Sequence, residues 1–250
     1  VLQIMTDEGS RRIATAAGAM LIAPHSLGAF EAAGTALFAP DYWRGNGTLA
    51  SATRGRGSAW FVAAGSADWV LRHYRRGGRI GALLSLDRYL WSGEARVRSF
   101  VEWRLLSVLR ERGLPVPEPV GAFYQRGGFT YRCDLITRRI AGALPLSDLL
   151  AAKRLVPALW RALGATVARF HAAGVDHADL NAHNILATPA GTLSIVDFDR
   201  GRLRPPGPWR NTNLARLKRS LHKVSATLPP QRFIAADWDE LMSGYAAGSG

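Results

Sequence analysis

The alternation of apolar and polar positions divides the chain into a strand-rich front and a helix-rich back. Between Thr48 and Tyr74, "TLASAT", "AWFVAA" and "WVLRHY" predict three extended segments, and "RGRGS" and "GSAD" between them predict glycine-containing turns. "EARVRSFVEWRLLSVLRERG" spaces Val97, Phe100, Val101, Leu105, Val108 and Leu109 as a helix requires and ends at Gly113. "LPVPEPVGAF" and "TYRCDLITRRI" read as further strands, and "AGALP" as a small-residue connector. A second helix, "VPALWRALGATVARFHAAG", aligns Val156, Leu159, Trp160, Leu163, Val167 and Phe170 on one face and stops at Gly174. After it, "NILAT", "PAG" and "TLSIVDFDR" form a hairpin pattern that ends in acidic residues. The strand-to-helix change falls near Ile140–Pro145. It predicts an α+β chain of two lobes, residues 1–140 with a sheet and one helix and residues 141–250 with most of the helices.

Composition narrows the possibilities. A chain of 250 residues, 48% apolar and 20% charged, can fold around a sizeable core. Cys133 is the sole cysteine, which excludes an internal disulfide and fits a reducing compartment. No apolar run approaches the ~18 residues of a spanning helix. The segment Arg11–Pro24 has the outline of a secretory leader, basic residues before an apolar stretch, but its "AMLIAP" reads equally as a strand. The net charge of +13, with 29 of the 32 basic residues arginine, points to anionic partners: nucleic acid, a membrane surface, or a phosphorylated or carboxylated substrate. The arginines are scattered and no zinc-finger spacing or other recognition motif accompanies them, so no nucleic acid partner is expected, nor an obligate protein partner.

Candidate chemistry concentrates in "HADLNAHNIL", His177–Leu186, and the following "IVDFD". Asn184 lies five positions after Asp179, and Asp197 thirteen after Asn184. By themselves Asp and Asn at such a place also suit a turn closed by local side-chain bonds. With a helix before and a hairpin between, the order and spacing resemble the catalytic loop and metal-binding triplet of the protein-kinase-like fold. The resemblance implies phosphoryl transfer from ATP, in which an acceptor hydroxyl is held in line with the γ-phosphate while cations offset phosphate charge. Asp179 would orient the hydroxyl and accept its proton, and Asn184 and Asp197 would offer oxygens to Mg²⁺. His177 reads as a prop for the loop.

The same resemblance implies phosphate-binding parts in the front lobe. Gly55 and Gly57 of "RGRGS" would let the backbone approach phosphates. The family's strand lysine is missing, since the only lysines are Lys153, Lys218 and Lys223; the register of "WVLRHY" puts Arg72 in its place. A guanidinium can grip phosphate oxygens with two donors. Glu102, a carboxylate amid apolar helix positions, is its expected partner. Asp199 replaces the glycine of the metal triplet and no Ala-Pro-Glu segment follows, which favours a small-molecule or lipid-linked acceptor over a protein.

"WVLRHYRRGG", "DRYLWSG", "EWRLLSVLRERGLPVPEPV" and "NLARLKRSL" extend the likeness from about Arg11 to Trp238, where the chain resembles the 3-deoxy-D-manno-octulosonic acid (Kdo) kinases of bacterial lipopolysaccharide assembly. That likeness implies phosphorylation of the 4-hydroxyl of Kdo on a lipid A precursor, by a peripheral protein on the cytoplasmic face of the inner membrane. Both the acceptor and the leaflet are anionic, as the charge requires. Arg75, Arg76 and Arg79 followed by Leu83, Leu84, Tyr89 and Trp91 are a candidate lipid-facing segment, and Arg200, Arg202, Arg204 and Arg210 a candidate acceptor site. Four alternatives stay open at this level: another sugar kinase of the same fold, a nucleic-acid binder, a hydrolase using metal on His177, Asp179 and His183, and an inactive anion-binding module.

Overall fold

A computed structural model of the chain describes residues 10–51, 59–65, 67–75, 87–228, 230 and 232–248. The glycine turn with Gly55 and Gly57, and Arg76, Arg79, Leu83 and Leu84, lie outside the described residues. The chain divides into two compact units, Val1–Ser107 with Glu118–Arg139, and Val108–Pro117 with Ile140–Gly250.

In the first unit, the strands are β1 (Arg11–Thr15), β2 (Gly18–Ile22), β3 (Leu49–Ser51), β4 (Ala59–Ala64), β5 (Ala67–His73), β6 (Tyr89–Leu90), β7 (Pro119–Gly127) and β8 (Thr130–Arg138). Among the described residues these eight form one antiparallel sheet in the order β1-β2-β7-β8-β5-β4-β3, with β6 paired to β8. The stretch "AMLIAP" is thus a sheet strand, and Ala19 to Ile22 are buried in it. Helices α1 (Leu27–Ala33) and α2 (Pro40–Gly45) supply aromatic cover. Phe30, Phe38 and Trp43 pack with Met20, Val62, Trp69, Leu71 and Ile136 into one apolar cluster.

Alternation along β5 turns Trp69 and Leu71 to that cluster and gives Arg72 and Tyr74 to the opposite side. There α3 (Arg98–Glu111) presents Glu102. The helix closes with Gly113 at φ +67°, Gly113 N–H donating to the Arg110 carbonyl and Leu114 N–H to that of Leu109, the paired closure that a left-handed glycine permits. Two expectations for this region change. Val101 is exposed, because the buried face of α3 turns toward Glu102 and Trp103; and the strand expected from Leu114 begins only at Pro119.

The second unit contains α4 (Leu146–Ala151), α5 (Pro157–Ala172), α6 (Trp209–Ser225) and α7 (Ala235–Ala247). Short strands complete it: β9 (Leu144–Pro145), β10 (Val175–Asp176), β11 (Ile185–Ala187), β12 (Leu193–Ile195) and β13 (Arg202–Leu203), paired as β12-β11-β9 and β10-β13. Trp160, Leu163, Val167 and Phe170 of α5 are buried as their spacing requires, whereas Val156 precedes the helix and is exposed. Helix α5 crosses α7 closely enough that a Cβ on Gly164 would stand 1.9 Å from the Leu241 carbonyl oxygen, and one on Gly244 2.0 Å from that of Arg161. The α+β class expected from the sequence is the one the chain forms.

Candidate active site

The loop between β10 and β11 is built by its own side chains. Asn181 Oδ1 accepts the backbone N–H groups of His183 (2.8 Å) and Asn184 (3.2 Å), an Asx-type closure. Its Nδ2 donates to the Asp179 carbonyl (3.0 Å), and so does Asn184 Nδ2 (3.0 Å). Because the amide nitrogen of Asn184 is committed to that carbonyl, its side-chain oxygen remains as an acceptor for another group. His177 donates Nε2–H to the Val196 carbonyl (3.0 Å) and accepts the Asp179 N–H at Nδ1 (3.2 Å). Burial pushes its pKa down, so the ring is neutral with both nitrogens engaged by backbone. It is a prop, and neither nitrogen is free to ligate a metal, which removes the hydrolase reading.

The hairpin β11–β12 pairs Ile185 with Ile195, and Val196 N–H donates to the Asn184 carbonyl (2.9 Å). Asn184 therefore sits across the ladder from Val196, one residue before Asp197. Asp197 has a left-handed backbone, φ +63°, a conformation that costs a non-glycine residue energy and is found where surrounding structure enforces it. Phe198 is the anchor after it, buried against Phe170 (6.0 Å between centroids) and His177 (4.7 Å).

Helix α6 braces this loop through residues that the sequence reading missed. Asn213 Oδ1 accepts the His177 N–H (3.0 Å) and its Nδ2 donates to Asp176 (3.0 Å); Ser220 Oγ accepts the Ala182 N–H (3.1 Å). Arg216 Nη1 lies 3.8 Å from the Asp179 carboxylate, whose side chain is 60% exposed. The positions 213, 216 and 220 form one polar stripe of the helix beside the buried Leu214, Leu217 and Leu221. The i, i+3, i+7 spacing is visible in "NLARLKRSL", but a polar stripe normally reads as a solvent face.

In the first unit Arg72 and Glu102 are brought together as an ion pair. Tyr74 completes it, donating to Glu102 (2.5 Å) and accepting from Arg72 (2.8 Å), and burial holds its phenol well above the ordinary range. Glu102 is only 2% exposed, so its charge depends on these partners. On the neighbouring position of β5, His73 Nδ1 meets Asp134 at 2.6 Å.

A pocket of about 520 Å³ in the second unit is lined by Arg200, Arg202, Arg204 and Arg216 with Asp176 and Trp209. Gly174 makes this possible. At φ +79° it lets Arg204 N–H reach its carbonyl (2.7 Å), where a Cβ would come within 2.7 Å of the Arg204 oxygen; this starts the pairing of β10 with β13. Arg210, expected in the cluster, instead donates to the His171 carbonyl (2.8 Å). Among the expected lipid-facing residues, Arg75 is exposed but Tyr89 is buried against Tyr131.

Comparison with known proteins follows the same lines. A sequence profile described as "Lipopolysaccharide kinase (Kdo/WaaP) family" matches residues 40–245. The chain is 50% identical over 190 residues to 3-deoxy-D-manno-octulosonic acid kinase of Stenotrophomonas maltophilia (strain K279a), covering 75% of each chain. It is 49% identical over 189 residues to the enzyme of that name from Xylella fastidiosa (strain M12), covering 75% of each. For the one from Xanthomonas campestris pv. campestris (strain B100) the identity is 46% over 211 residues, 84% of this chain and 83% of the relative. Among solved structures, a glucosamine kinase (crystal form B) aligns with 100% of this chain and 80% of its own at 15% identity and TM-score 0.47, too distant to carry an argument. By the profile match and these identities, the chain belongs to the lipopolysaccharide kinase (Kdo/WaaP) family.

Proposed function

We propose that this chain transfers the γ-phosphoryl group of ATP to the 4-hydroxyl of a Kdo residue on a lipid A precursor during lipopolysaccharide core assembly. The observation that carries the reading is the loop Asp179–Asn184, with its exposed carboxylate and an Asn184 side-chain oxygen left as an acceptor, in a chain 50% identical over 190 residues to an enzyme named 3-deoxy-D-manno-octulosonic acid kinase. Asp179 orients the acceptor hydroxyl and takes its proton as the bond to phosphorus forms.

The residues present fit a nucleotide-bound Mg²⁺. Magnesium in such complexes takes one or two protein oxygens together with phosphate oxygens, and Asn184 Oδ1 and the Asp197 carboxylate are that kind of donor set. When bound, the ion neutralises charge on the transferring phosphoryl group. The hairpin register keeps Asn184 and Asp197 in neighbouring positions, and the packing of Phe198 fixes where Asp197 starts. In the first unit Arg72, held by Glu102 and Tyr74, grips phosphate oxygens in place of a lysine, and Gly55 and Gly57 are assigned to the same nucleotide. We accordingly assign residues 1–140 to nucleotide binding and 141–250 to catalysis, metal and acceptor.

We also infer peripheral contact with the anionic cytoplasmic face of the inner membrane. No helix of the described residues is long and apolar enough to cross a membrane. The support is the charge of +13 and an exposed apolar pair, Phe129 (91%) and Leu90 (70%), joined where Trp91 N–H donates to the Phe129 carbonyl (2.9 Å). Arg88, bonded to Thr130 (3.3 Å), and Arg126, stacked 4.4 Å over Trp91, flank the pair.

The test is structural analysis of the product. With ATP, Mg²⁺ and Kdo-bearing lipid A precursor, phosphorus–proton correlation should place the new phosphate at position 4 of Kdo. Phosphate elsewhere would favour another sugar kinase of the same fold, and absence of transfer by folded protein would overturn the reading.

A further inference from the structure

The arginine pocket carries more positive charge than its surroundings neutralise. Arg204 is paired with Asp176 at 2.9 Å, and Arg216 reaches Asp179 only at 3.8 Å. The side chains of Arg200 and Arg202 have no ion-pair or hydrogen-bond partner among the described residues, although the Arg202 backbone pairs with β10, and the buried Nε of Arg216 has no hydrogen-bond partner there. Like charges gathered in a concavity repel one another, and a buried N–H without an acceptor loses the hydrogen bond it would have in water. Arg200 is moreover held at φ +68°, closed by a Gly201 N–H bond to the Phe198 carbonyl (2.7 Å). Strain of that kind on a non-glycine side chain, next to uncompensated charge, is a mark of a site built for a ligand.

The ligand must be an anion with oxygen acceptors, because guanidinium forks match carboxylate and phosphate geometry. Its place relative to the chemistry is set by Arg216, which lines the pocket and also faces the Asp179 carboxylate. We propose that this pocket binds an anionic oxygen group of the acceptor, with Arg200 and Arg202 as its principal donors. Arg216 is a positioning residue, shared between that anion and Asp179, so that docking the anion sets the acceptor hydroxyl against the carboxylate. The inference rests on the phosphotransfer reading above. The oxygen group has two possible sources in one acceptor, the carboxylate of the sugar acid and the phosphates of the lipid, and the experiment separates them.

Wild type, Arg200→Gln, Arg202→Gln, Arg216→Gln and Arg216→Lys are assayed on three acceptors: the Kdo-bearing precursor, its Kdo methyl ester, and the precursor stripped of lipid phosphates. Arg202→Gln and Arg200→Gln should raise the acceptor KM at least about tenfold, the loss of one charged hydrogen bond, at unchanged nucleotide KM and melting temperature. Arg216→Gln should lower kcat as well, and Arg216→Lys should recover part of it. If the anion is the carboxylate, the penalty disappears on the methyl ester and persists without lipid phosphates; if it is a lipid phosphate, the reverse holds. A penalty equal on all three acceptors, or on none, would overturn the proposal. Binding of free Kdo and of the precursor without nucleotide distinguishes failure of this idea from failure of the catalytic reading. Weaker binding of the precursor by Arg202→Gln than by wild type supports the pocket even if no phosphate is transferred, with free Kdo weakened as well if the anion is its carboxylate and not if it is a lipid phosphate; wild-type binding of the precursor by the variant counts against it.

Discussion

At the scale of single residues, the site depends on what each side chain's neighbours leave available. Asn184 spends its amide N–H on the Asp179 carbonyl, which frees the oxygen; His177 spends both nitrogens on backbone, which removes it from the chemistry. Glu102 is the reverse case, a buried charge that must be matched. Arg72→Leu should therefore destabilise the protein by about 3–5 kcal/mol, because it removes the cation paired with a buried carboxylate. Arg72→Leu with Glu102→Leu should regain most of that stability but not nucleotide affinity; thermal melts and nucleotide titration read the two effects, and a double variant as unstable as the single one would argue against the pairing. His171 gives a pH dependence. Burial, reinforced by repulsion from Arg210, pushes its pKa down to about 4 from the ordinary 6.5. Below pH 6.5 the unfolded imidazole takes a proton that the folded one refuses, so stability is intact above 6.5 and falls as pH drops toward 4. The loss is on the order of 3 kcal/mol. His171→Phe should flatten the melting temperature over that window, and an unchanged slope would contradict the assignment. Asp179, Asn184 and Asp197 stand out in the sequence by type and spacing, and Arg72 and Glu102 by strand register and an apolar setting; of these, the Arg72–Glu102 pairing is what the fold brings together. Asn181, Asn213 and Ser220 were not singled out, because a polar loop residue and a polar helix stripe read as solvent-facing until the backbone groups they bind are known.

At the scale of elements, hydrophobic period served where one face alone is buried. The strands β4 and β5, the helices α3 and α5 and the hairpin β11–β12 fall close to where alternation and helical spacing predict them. The rule failed where polar residues face inward. Helix α6 turns Asn213, Arg216 and Ser220 to the loop it braces, and a binary pattern reads that stripe as solvent-facing. The same failure misassigned Val101, because α3 buries Glu102 where a purely apolar count would place a valine. The pairing of β10 with β13 depends on Gly174, whose left-handed backbone and contact with Arg204 admit no side chain. Gly174→Ala should cost about 2 kcal/mol and raise the acceptor KM by displacing Arg202 and Arg204. Wild-type melting and kinetics in that variant would contradict the role given to the turn.

At the scale of the whole molecule, the proposed membrane contact combines the charge of +13 with an exposed apolar pair, Phe129 at the β7–β8 turn and Leu90 on β6. Phe129→Ser with Leu90→Ser should weaken association with vesicles containing anionic phospholipid at least about tenfold, since each apolar side chain inserted contributes one to three kcal/mol. Unchanged vesicle binding would remove this surface from the account. Net charge pointed to anionic partners, but nothing in the sequence marked the surface proposed for the membrane: Tyr89 lies inside, and Phe129 had no pattern to single it out. The central claim is phosphoryl transfer by Asp179 to a Kdo hydroxyl. Its most direct test is the rate at which labelled γ-phosphate moves from ATP to Kdo-bearing lipid A precursor in wild type and in Asp179→Asn, at matched melting temperature. The account predicts transfer by the wild type and a loss of at least about a hundredfold in the variant. Equal rates in the two proteins, or no transfer by a folded wild type that binds ATP, would contradict it.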